Sequence, residues 1–196
     1  MKKSFILSIA LVVFGSMAYA QNSKSFYKSS YESRNSGSFE QSAALLTFGL
    51  GFPNQAVNYN GLSGFPPIYV KYEQGFLRDE VGLGGYLSTG FGSVDYNNGT
   101  NYNNNFFAFS IGVLGYYHFN KLIPIEQMDV YAGAGLGFRA VSYSGDDVYV
   151  YDNHSDVIGI VKAGIRYYVK PKFAVYAETG YDGMSTINLG VTLKLK

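Results

Sequence analysis

Alternation of apolar and polar residues is the feature that most restricts the fold of this chain. In the closing segment "STINLGVTLKLK" (185–196), every second residue from Ile187 to Leu195 is apolar, and polar residues or glycine fill the positions between. A period of two is typical of a β-strand that has one apolar face and one polar face. The same pattern predicts seven earlier strands, at 42–52, 67–76, 81–96, 105–119, 129–143, 156–170 and 172–181.

The predicted strands are joined by segments rich in turn-forming residues. Asn, Gly, Ser, Asp and Pro are concentrated between the strands, and the sequence predicts loops at 54–64, 96–104, 144–156 and 182–185. No segment of any length has the period of a helix. Eight antiparallel neighbours with short links predict an all-β fold, an eight-stranded antiparallel up-and-down β-barrel over residues 42–196.

The segment before the barrel has two parts. Residues 1–20, "MKKSFILSIALVVFGSMAYA", combine two lysines, a short apolar run and an A-x-A site, which predicts a secretory signal peptide rather than a membrane-spanning helix. Residues 21–41 are Ser-rich and predict a flexible leader. An ordered segment that enters the barrel or binds a partner is the alternative, because this stretch contains aromatic residues at Phe26, Tyr27 and Tyr31.

Composition narrows the class of protein. The chain has 24 Gly, 19 Tyr and 15 Phe, and only 15% of its residues are charged, which is low for a soluble domain. The net charge of +1 becomes −1 when Lys2 and Lys3 leave with the signal peptide, so a nucleic-acid partner is not expected. The absence of Cys excludes disulfides and thiolate metal sites.

The direction of the apolar face separates two kinds of barrel. A soluble lipocalin-like periplasmic binder would turn it inward, whereas a transmembrane barrel turns it toward lipid. An eight-stranded lumen is only just wide enough for its own side chains, and the apolar face is too bulky to fit there. The sequence therefore predicts the following lipid-facing residues: Leu46, Phe48, Leu50, Phe107, Phe109, Ile111, Val113, Leu136, Val161, Ile165, Leu189, Val191 and Leu193.

Aromatic residues near the strand ends predict two girdles at the membrane surfaces. The candidates are Phe52, Tyr72, Phe76, Tyr96, Tyr117, Phe119, Tyr143, Tyr167, Phe173 and Tyr181.

The opposite, inward face carries a small set of charged residues. The predicted lumen charge network comprises Lys71, Glu73, Arg139, Lys162, Arg166, Glu178 and Lys194. One interpretation is a narrow pore whose lining selects ions or small solutes. The other is a paired network that fills the lumen, because buried charges must be paired or neutralised.

With its signal peptide, eight alternating segments and apolar closing strand, the chain resembles the small eight-stranded outer-membrane barrels. This family includes outer membrane protein A and outer membrane protein X and, more narrowly, the outer membrane protein β-barrel domain proteins of Bacteroidetes-type bacteria. The resemblance implies a monomer in the outer membrane of a Gram-negative cell, with outward loops and a structural or surface-interaction role. It implies as partners outer-membrane lipid, lipopolysaccharide, the barrel-insertion machinery and an extracellular ligand or host surface.

Motifs for chemistry are weak. One predicted loop is acidic, with carboxylates at Asp146, Asp147, Asp152 and Asp156. These carboxylates would hold Ca²⁺ or bridge to lipopolysaccharide through divalent ions. The alternative is a loop that is simply solvated. Adjacent His154, Ser155 and Asp156 do not by themselves form a catalytic relay. The Tyr- and Asn-rich loops are typical either of an adhesive surface that contacts another molecule or of ordinary loops in water. His118 is predicted to be a rim or packing residue, and the sequence predicts no enzyme, cofactor or metal site.

Overall fold

Eight strands form in the part of the chain that the computed structural model describes, which is residues 39–55, 62–97, 101–123, 125–145 and 153–195. The predicted signal peptide and residues 21–38 of the predicted leader lie outside these ranges. The strands are β1 (Ala44–Phe52), β2 (Leu62–Gly75), β3 (Val81–Asn97), β4 (Asn101–His118), β5 (Met128–Gly145), β6 (His154–Lys170), β7 (Phe173–Tyr181) and β8 (Ile187–Lys194).

The strands close into a single antiparallel barrel in chain order, with β8 paired to β1. The closing register sets Phe48 opposite Val191 and Leu50 opposite Leu189, so the apolar residues of the two strands share one face. Closure leaves no strand edge along the seam, as backbone groups in hydrocarbon require. The predicted fold class is therefore confirmed. Within the described ranges, no helix is long and apolar enough to cross a membrane.

The two ends of the barrel differ. Strands β1, β3, β5 and β7 finish at one end, called here the loop end. They begin at the other end, called the terminus end because β1 begins and β8 finishes there.

The wall is much higher on one side than on the other. Strands β3 to β6 have 17 or 18 residues each, whereas β1, β7 and β8 have 8 or 9. Pairing of β6 with β7 stops at Val161 and Tyr181, and pairing of β1 with β2 stops at Leu50 and Ile68. We call the part of β2–β6 beyond these pairs the raised sheet, comprising residues 62–67, 92–97, 101–106, 139–145 and 154–160.

The raised sheet corrects one prediction. Residues 96–104 were predicted to be a loop, but β3 and β4 continue through most of this segment and leave only 98–100 between them. Tyr96 pairs with Tyr102 and Asn97 with Asn101. The alternation rule misses these residues because nearly every position from 97 to 105 is polar, so the sequence has no period of two there.

Inside the barrel, glycine on one strand faces a large ring from the next. A Cβ added at Gly164 would lie 2.5 Å from the Tyr131 ring, and one added at Gly133 would lie 2.6 Å from Tyr116. Both tyrosines are buried. These glycines let bulky rings pack across a narrow lumen, which explains why small and large residues alternate on the inward face.

Candidate functional site

Two charge clusters occupy the lumen. The first, called the lysine cluster, comprises Lys71, Lys162, Glu178 and Asp182, all of them buried. Lys71 Nζ donates to Glu178 Oε1 at 2.5 Å, and Lys162 Nζ lies 2.7 Å from Asp182 Oδ2 and 3.7 Å from Glu178 Oε1. The Tyr131 hydroxyl donates to the second oxygen of Glu178 at 3.0 Å. Two cations and two anions therefore neutralise each other away from water.

The second cluster, called the histidine–arginine ring, lies nearer the terminus end. Arg166 donates to Asp129 Oδ2 at 2.7 Å and to Glu73 Oε2 at 2.6 Å. His118 lies between the same two carboxylates, with Nδ1 2.7 Å from Asp129 Oδ1 and Nε2 2.6 Å from Glu73 Oε1. Both carboxylate oxygens accept a hydrogen bond from His118 when both of its ring nitrogens carry a proton. His118, Arg166, Glu73 and Asp129 then form a closed ring of hydrogen bonds with no net charge.

Tyrosine rings fill the space around the two clusters. Arg166 Cζ lies 4.0 Å from the centre of the Tyr131 ring, and Lys71 Nζ lies 5.2 Å from the centre of Tyr69 and 5.1 Å from that of Tyr176. Cations over aromatic faces gain further electrostatic stabilisation when they are removed from water. The lumen at this level is therefore occupied by paired charges and packed rings.

The turn between β7 and β8 covers the lumen at the loop end. Asp182, Met184 and Ser185 are all buried there. Asp182 Oδ1 accepts hydrogen bonds from the backbone N–H groups of Met184 and Ser185, and Ser185 Oγ is hydrogen-bonded to the Tyr69 hydroxyl at 2.8 Å. Met184 belongs to the buried cluster of aromatic and aliphatic side chains inside the barrel, which also includes Phe106 and Tyr69. This turn, predicted to be an outward loop, instead folds into the barrel.

A short segment before β1 covers the terminus end. Phe39 is buried and stacks on His118, with ring centroids 3.5 Å apart and planes 4° from parallel. Asn120 Nδ2 donates to the Phe39 carbonyl at 2.9 Å, and the Gln41 N–H donates to Asp79 Oδ1 at 3.0 Å. Residues 39–41, the last three of the predicted leader, are thus held across the mouth of the barrel.

The predicted lumen residues fall into two groups. Lys71, Glu73, Lys162, Arg166 and Glu178 lie in the two clusters. Arg139 and Lys194 lie near the ends of the barrel, where Arg139 Nη2 donates to Asp156 at 3.1 Å and Lys194 Nζ to Glu40 at 3.2 Å. The pairing interpretation of the lumen remains a proposal, which is developed below.

Three members of the clusters are absent from the predicted charge network. His118 was placed on the inward face but as a rim or packing residue, whereas the structure buries it between two carboxylates. Asp129 also lies on the inward face of its strand, and the alternation of Val130 with Tyr131 was a usable signal. Asp182 had no such signal, because it lies in a turn and alternation does not extend into turns. It reaches Lys162 only because the turn folds inward.

The predicted lipid-facing residues have the exposures expected of an outer wall. Nine of the thirteen are exposed: Phe48, Leu50, Phe107, Ile111, Val113, Leu136, Val161, Ile165 and Leu189. The other four are half-buried: Leu46, Phe109, Val191 and Leu193. Of the predicted girdle residues, Tyr143 is buried instead and belongs to the same cluster inside the barrel as Met184. The side chain of Tyr96 lies outside the described part.

The remaining motifs do not assemble a site. Along β6, Ser155 lies on the opposite face of the strand from His154 and Asp156, whose side chains approach to 3.9 Å. These three residues therefore form no nucleophile–base relay. Asp146, Asp147 and Asp152 lie outside the described part, as do most side chains of the Tyr- and Asn-rich loops. Among the described residues, no group of three or more His, Asp or Glu side chains is arranged to hold a metal ion.

No protein-family model matches the sequence, and no curated protein matches it. The structure is similar to that of the outer membrane protein OprG from Pseudomonas aeruginosa, with a TM-score of 0.56 and 8% identity, over 81% of this chain and 99% of that one. It is also similar to the N-terminal β-barrel domain of Pseudomonas aeruginosa OprF, with a TM-score of 0.47 and 20% identity, over 80% and 99% of the two chains.

A third similar structure is Ail, the attachment invasion locus protein of Yersinia pestis, with a TM-score of 0.42 and 14% identity, over 78% and 90% of the two chains. The fold is that of the small eight-stranded outer-membrane β-barrels, in agreement with the resemblance noted from the sequence. At these identities the likeness establishes the fold alone.

Proposed function

We propose that this chain is an integral outer-membrane β-barrel with a side-chain-filled lumen, and that its role is to hold the raised sheet outside the cell as an interaction surface. The observation that carries the proposal is the one-sided extension of β2–β6 past an apolar belt. A barrel that served only to span the membrane would not need strands of 17 or 18 residues, because about 9–11 residues are enough.

Two rows of aromatic side chains define the belt. The row toward the loop end has an outward aromatic residue on six strands: Phe52, Phe65, Phe91, Phe107, Phe138 and Tyr181, all exposed. The row toward the terminus end contains Tyr72, Phe76, Tyr117, Tyr167 and Phe173. Phe107 and Tyr117 are ten residues apart on β4, which corresponds to a height of about 25 Å for a strand tilted by about 40°. This height matches the apolar band of an outer-membrane barrel.

Beyond the loop-end row, most outward residues of the wall are polar, and Val157 on β6 is the exposed apolar exception. The outward residues there include Ser93, Asn105, Ser142, Ser144 and Ser155. Serine and asparagine are suited to water and not to acyl chains. The change from phenylalanine to serine along the same strands supports a membrane boundary at the aromatic row, with the part of the raised sheet beyond that row in solvent.

The free edges of the raised sheet give it a means of binding. On the β6 side, no strand in the described part of the chain pairs with Ser155–Ile160 on the edge away from β5. On the β2 side, Pro66 and Pro67 interrupt the edge, and Asn54 Nδ2 donates to the Phe65 carbonyl at 3.0 Å. An open edge without proline is a template for an extended strand from another protein. The β6 edge is therefore our candidate contact surface.

The lumen supports this role over that of a pore. The buried charges of both clusters are paired, and covering segments lie at both ends of the barrel. The exposed apolar belt also argues against a lipocalin-like binder, which would turn those residues inward.

Single cysteines test the topology, because the chain has none of its own. We expect a membrane-impermeant maleimide to label Ser142→Cys and Ser155→Cys on intact cells, since both positions lie beyond the belt. Lys172→Cys, in the turn between β6 and β7, is the matched control and should react only after the outer membrane is permeabilised. Labelling of Lys172→Cys alone on intact cells, or recovery of the protein without detergent, would contradict the proposal.

A further inference from the structure

Two neighbouring turns at the terminus end expose leucine side chains to an unusual degree. Leu77, between β2 and β3, is 69% exposed, and Leu122, between β4 and β5, is 74% exposed. A leucine in a water-exposed turn gains nothing from burial. The exposure of both residues therefore calls for a partner that is apolar.

The backbone at Leu77 strengthens this argument. Its φ is 64°, in the left-handed region that side-chain-bearing residues rarely adopt. The Arg78 N–H donates to the Phe76 carbonyl at 2.8 Å, so Leu77 is the central residue of a tight three-residue turn. Glycine or asparagine would suit this conformation better. Leucine in this conformation has a backbone cost that a contact made by its side chain would offset.

Each exposed leucine is followed or preceded by a basic residue. Arg78 follows Leu77, and Lys121 precedes Leu122. The Lys121 side chain is 72% exposed, and its ammonium forms an ion pair with the carboxylate of Glu80, which is buried. The charge and hydrogen bond of Glu80 raise the pKa of Lys121, whereas the positive charge of Arg78 acts in the opposite direction. The two turns are also in direct contact, because Asn120 Nδ2 donates to the Asp79 carbonyl at 3.3 Å. Arg78 and Lys121, the neighbours of Asp79 and Asn120, therefore lie on adjoining turns.

The nearest strand adds an amphipathic aromatic residue. Tyr117 is 47% exposed on the outward face of β4 and packs edge-on against Phe119, with ring centroids 5.2 Å apart. Tyr117 belongs to the terminus-end aromatic row, where a ring with one polar tip suits the boundary between acyl chains and water. The apolar side chains and the cations therefore meet at the level of phospholipid headgroups.

From this juxtaposition we infer that Leu77, Arg78, Tyr117, Lys121 and Leu122 form a binding site for an anionic phospholipid of the inner leaflet. Arg78 and Lys121 would hold the phosphate, and the two leucines and Tyr117 would contact the glycerol and the upper acyl chains. The inference rests on the proposed membrane topology. A soluble anionic polymer of the periplasm fits less well, because it would leave the leucines in water.

Tryptophan fluorescence tests this site cleanly, since the chain contains no Trp. The full-length protein carrying Leu122→Trp is folded into phosphatidylcholine vesicles that contain a minor fraction of brominated phosphatidylglycerol or, in a parallel sample, brominated phosphatidylcholine. Folding is checked by the heat-dependent gel shift. We expect quenching to report a preference of about fivefold for phosphatidylglycerol, the effect of one basic residue at a membrane surface.

Charge substitutions distinguish binding at this site from a general attraction of anionic lipid to basic residues at the terminus end. In the Leu122→Trp background, Arg78→Gln with Lys121→Gln should reduce the preference to about one. Lys170→Gln with Lys172→Gln, which removes two charges from the turn between β6 and β7, should leave it unchanged. Equal loss from both pairs, or no preference at the start, would overturn the inference.

A second reporter separates this inference from the proposed topology. Ile111→Trp lies in the middle of the apolar belt and must be quenched by either brominated lipid if the barrel spans the bilayer. Quenching of Ile111→Trp without quenching of Leu122→Trp would refute the lipid site alone, and would point to water or a periplasmic polymer at the turns. Absence of quenching at Ile111→Trp would refute the membrane barrel itself.

Discussion

Glu178 carries more of the lumen's charge balance than any neighbouring residue of the lysine cluster. It accepts a hydrogen bond from Lys71 and another from Tyr131, and it also faces Lys162. We expect Glu178→Gln to lower the free energy of unfolding by about 3–5 kcal/mol, because it leaves Lys71 buried without an anion. Urea unfolding from vesicles, followed by the gel shift of the folded form, measures this change.

The matched control for this substitution is Glu126→Gln, in the exposed turn between β4 and β5. Removing the same charge there should change stability by no more than about 0.5 kcal/mol. Equal effects of the two substitutions would mean that the lumen is hydrated and that Glu178 does not need its partners.

For single residues, the sequence best predicts which face of its strand each residue occupies. Counting from the apolar residues places Lys71, Glu73, Lys162, Arg166 and Glu178 on the inward face, and all five are buried in the two clusters. The pairing partners cannot be read in this way, because they depend on which strands lie opposite each other across a tilted barrel. The contact of Arg166 with Glu73, which lie on β6 and β2, is an example.

Among the strands, β6 is the one whose open edge carries the proposed contact surface. Val161–Tyr167 is paired on both sides, whereas Ser155–Ile160 is paired with β5 alone. We expect every second backbone amide of Ser155–Ile160 to exchange with solvent deuterium much faster than the amides of Val161–Tyr167, because only one edge is hydrogen-bonded. Residue-resolved hydrogen exchange in detergent micelles measures the difference.

The lower part of β6 is the internal control for this measurement, since it shares the same strand and solvent conditions. Uniformly slow exchange along the whole of β6 would show that another segment covers the edge, and would remove it as a contact surface.

The strands themselves could be predicted where they cross the belt, and less well where they leave it. The apolar period of two locates β1, β7 and β8 to within two residues, because one face of each strand is apolar and turned outward while the other lines the lumen. The upper parts of β3 and β4 lack this constraint. Their pairing at Tyr96 with Tyr102 depends on cross-strand partners, which are not encoded in the composition of one segment.

A membrane barrel requires one orientation of its wall, with the apolar face of every strand outward and the paired charges inside. Strand β4 tests this orientation best, because its exposed Phe107, Ile111 and Val113 alternate with the buried Ala108 and Ser110. The folds that compete with a membrane barrel would reverse or abolish that alternation.

The most direct measurement is a spin-label scan of residues 107–113, one cysteine at a time, in the chain reconstituted in lipid bilayers. We predict that collisions with lipid-soluble oxygen follow a period of two, high at the odd positions and low at the even ones. Two results would contradict a membrane barrel of this orientation. One is that labels at the odd positions collide instead with a water-soluble relaxation agent, and the other is that oxygen collisions are high at the even positions and low at the odd ones.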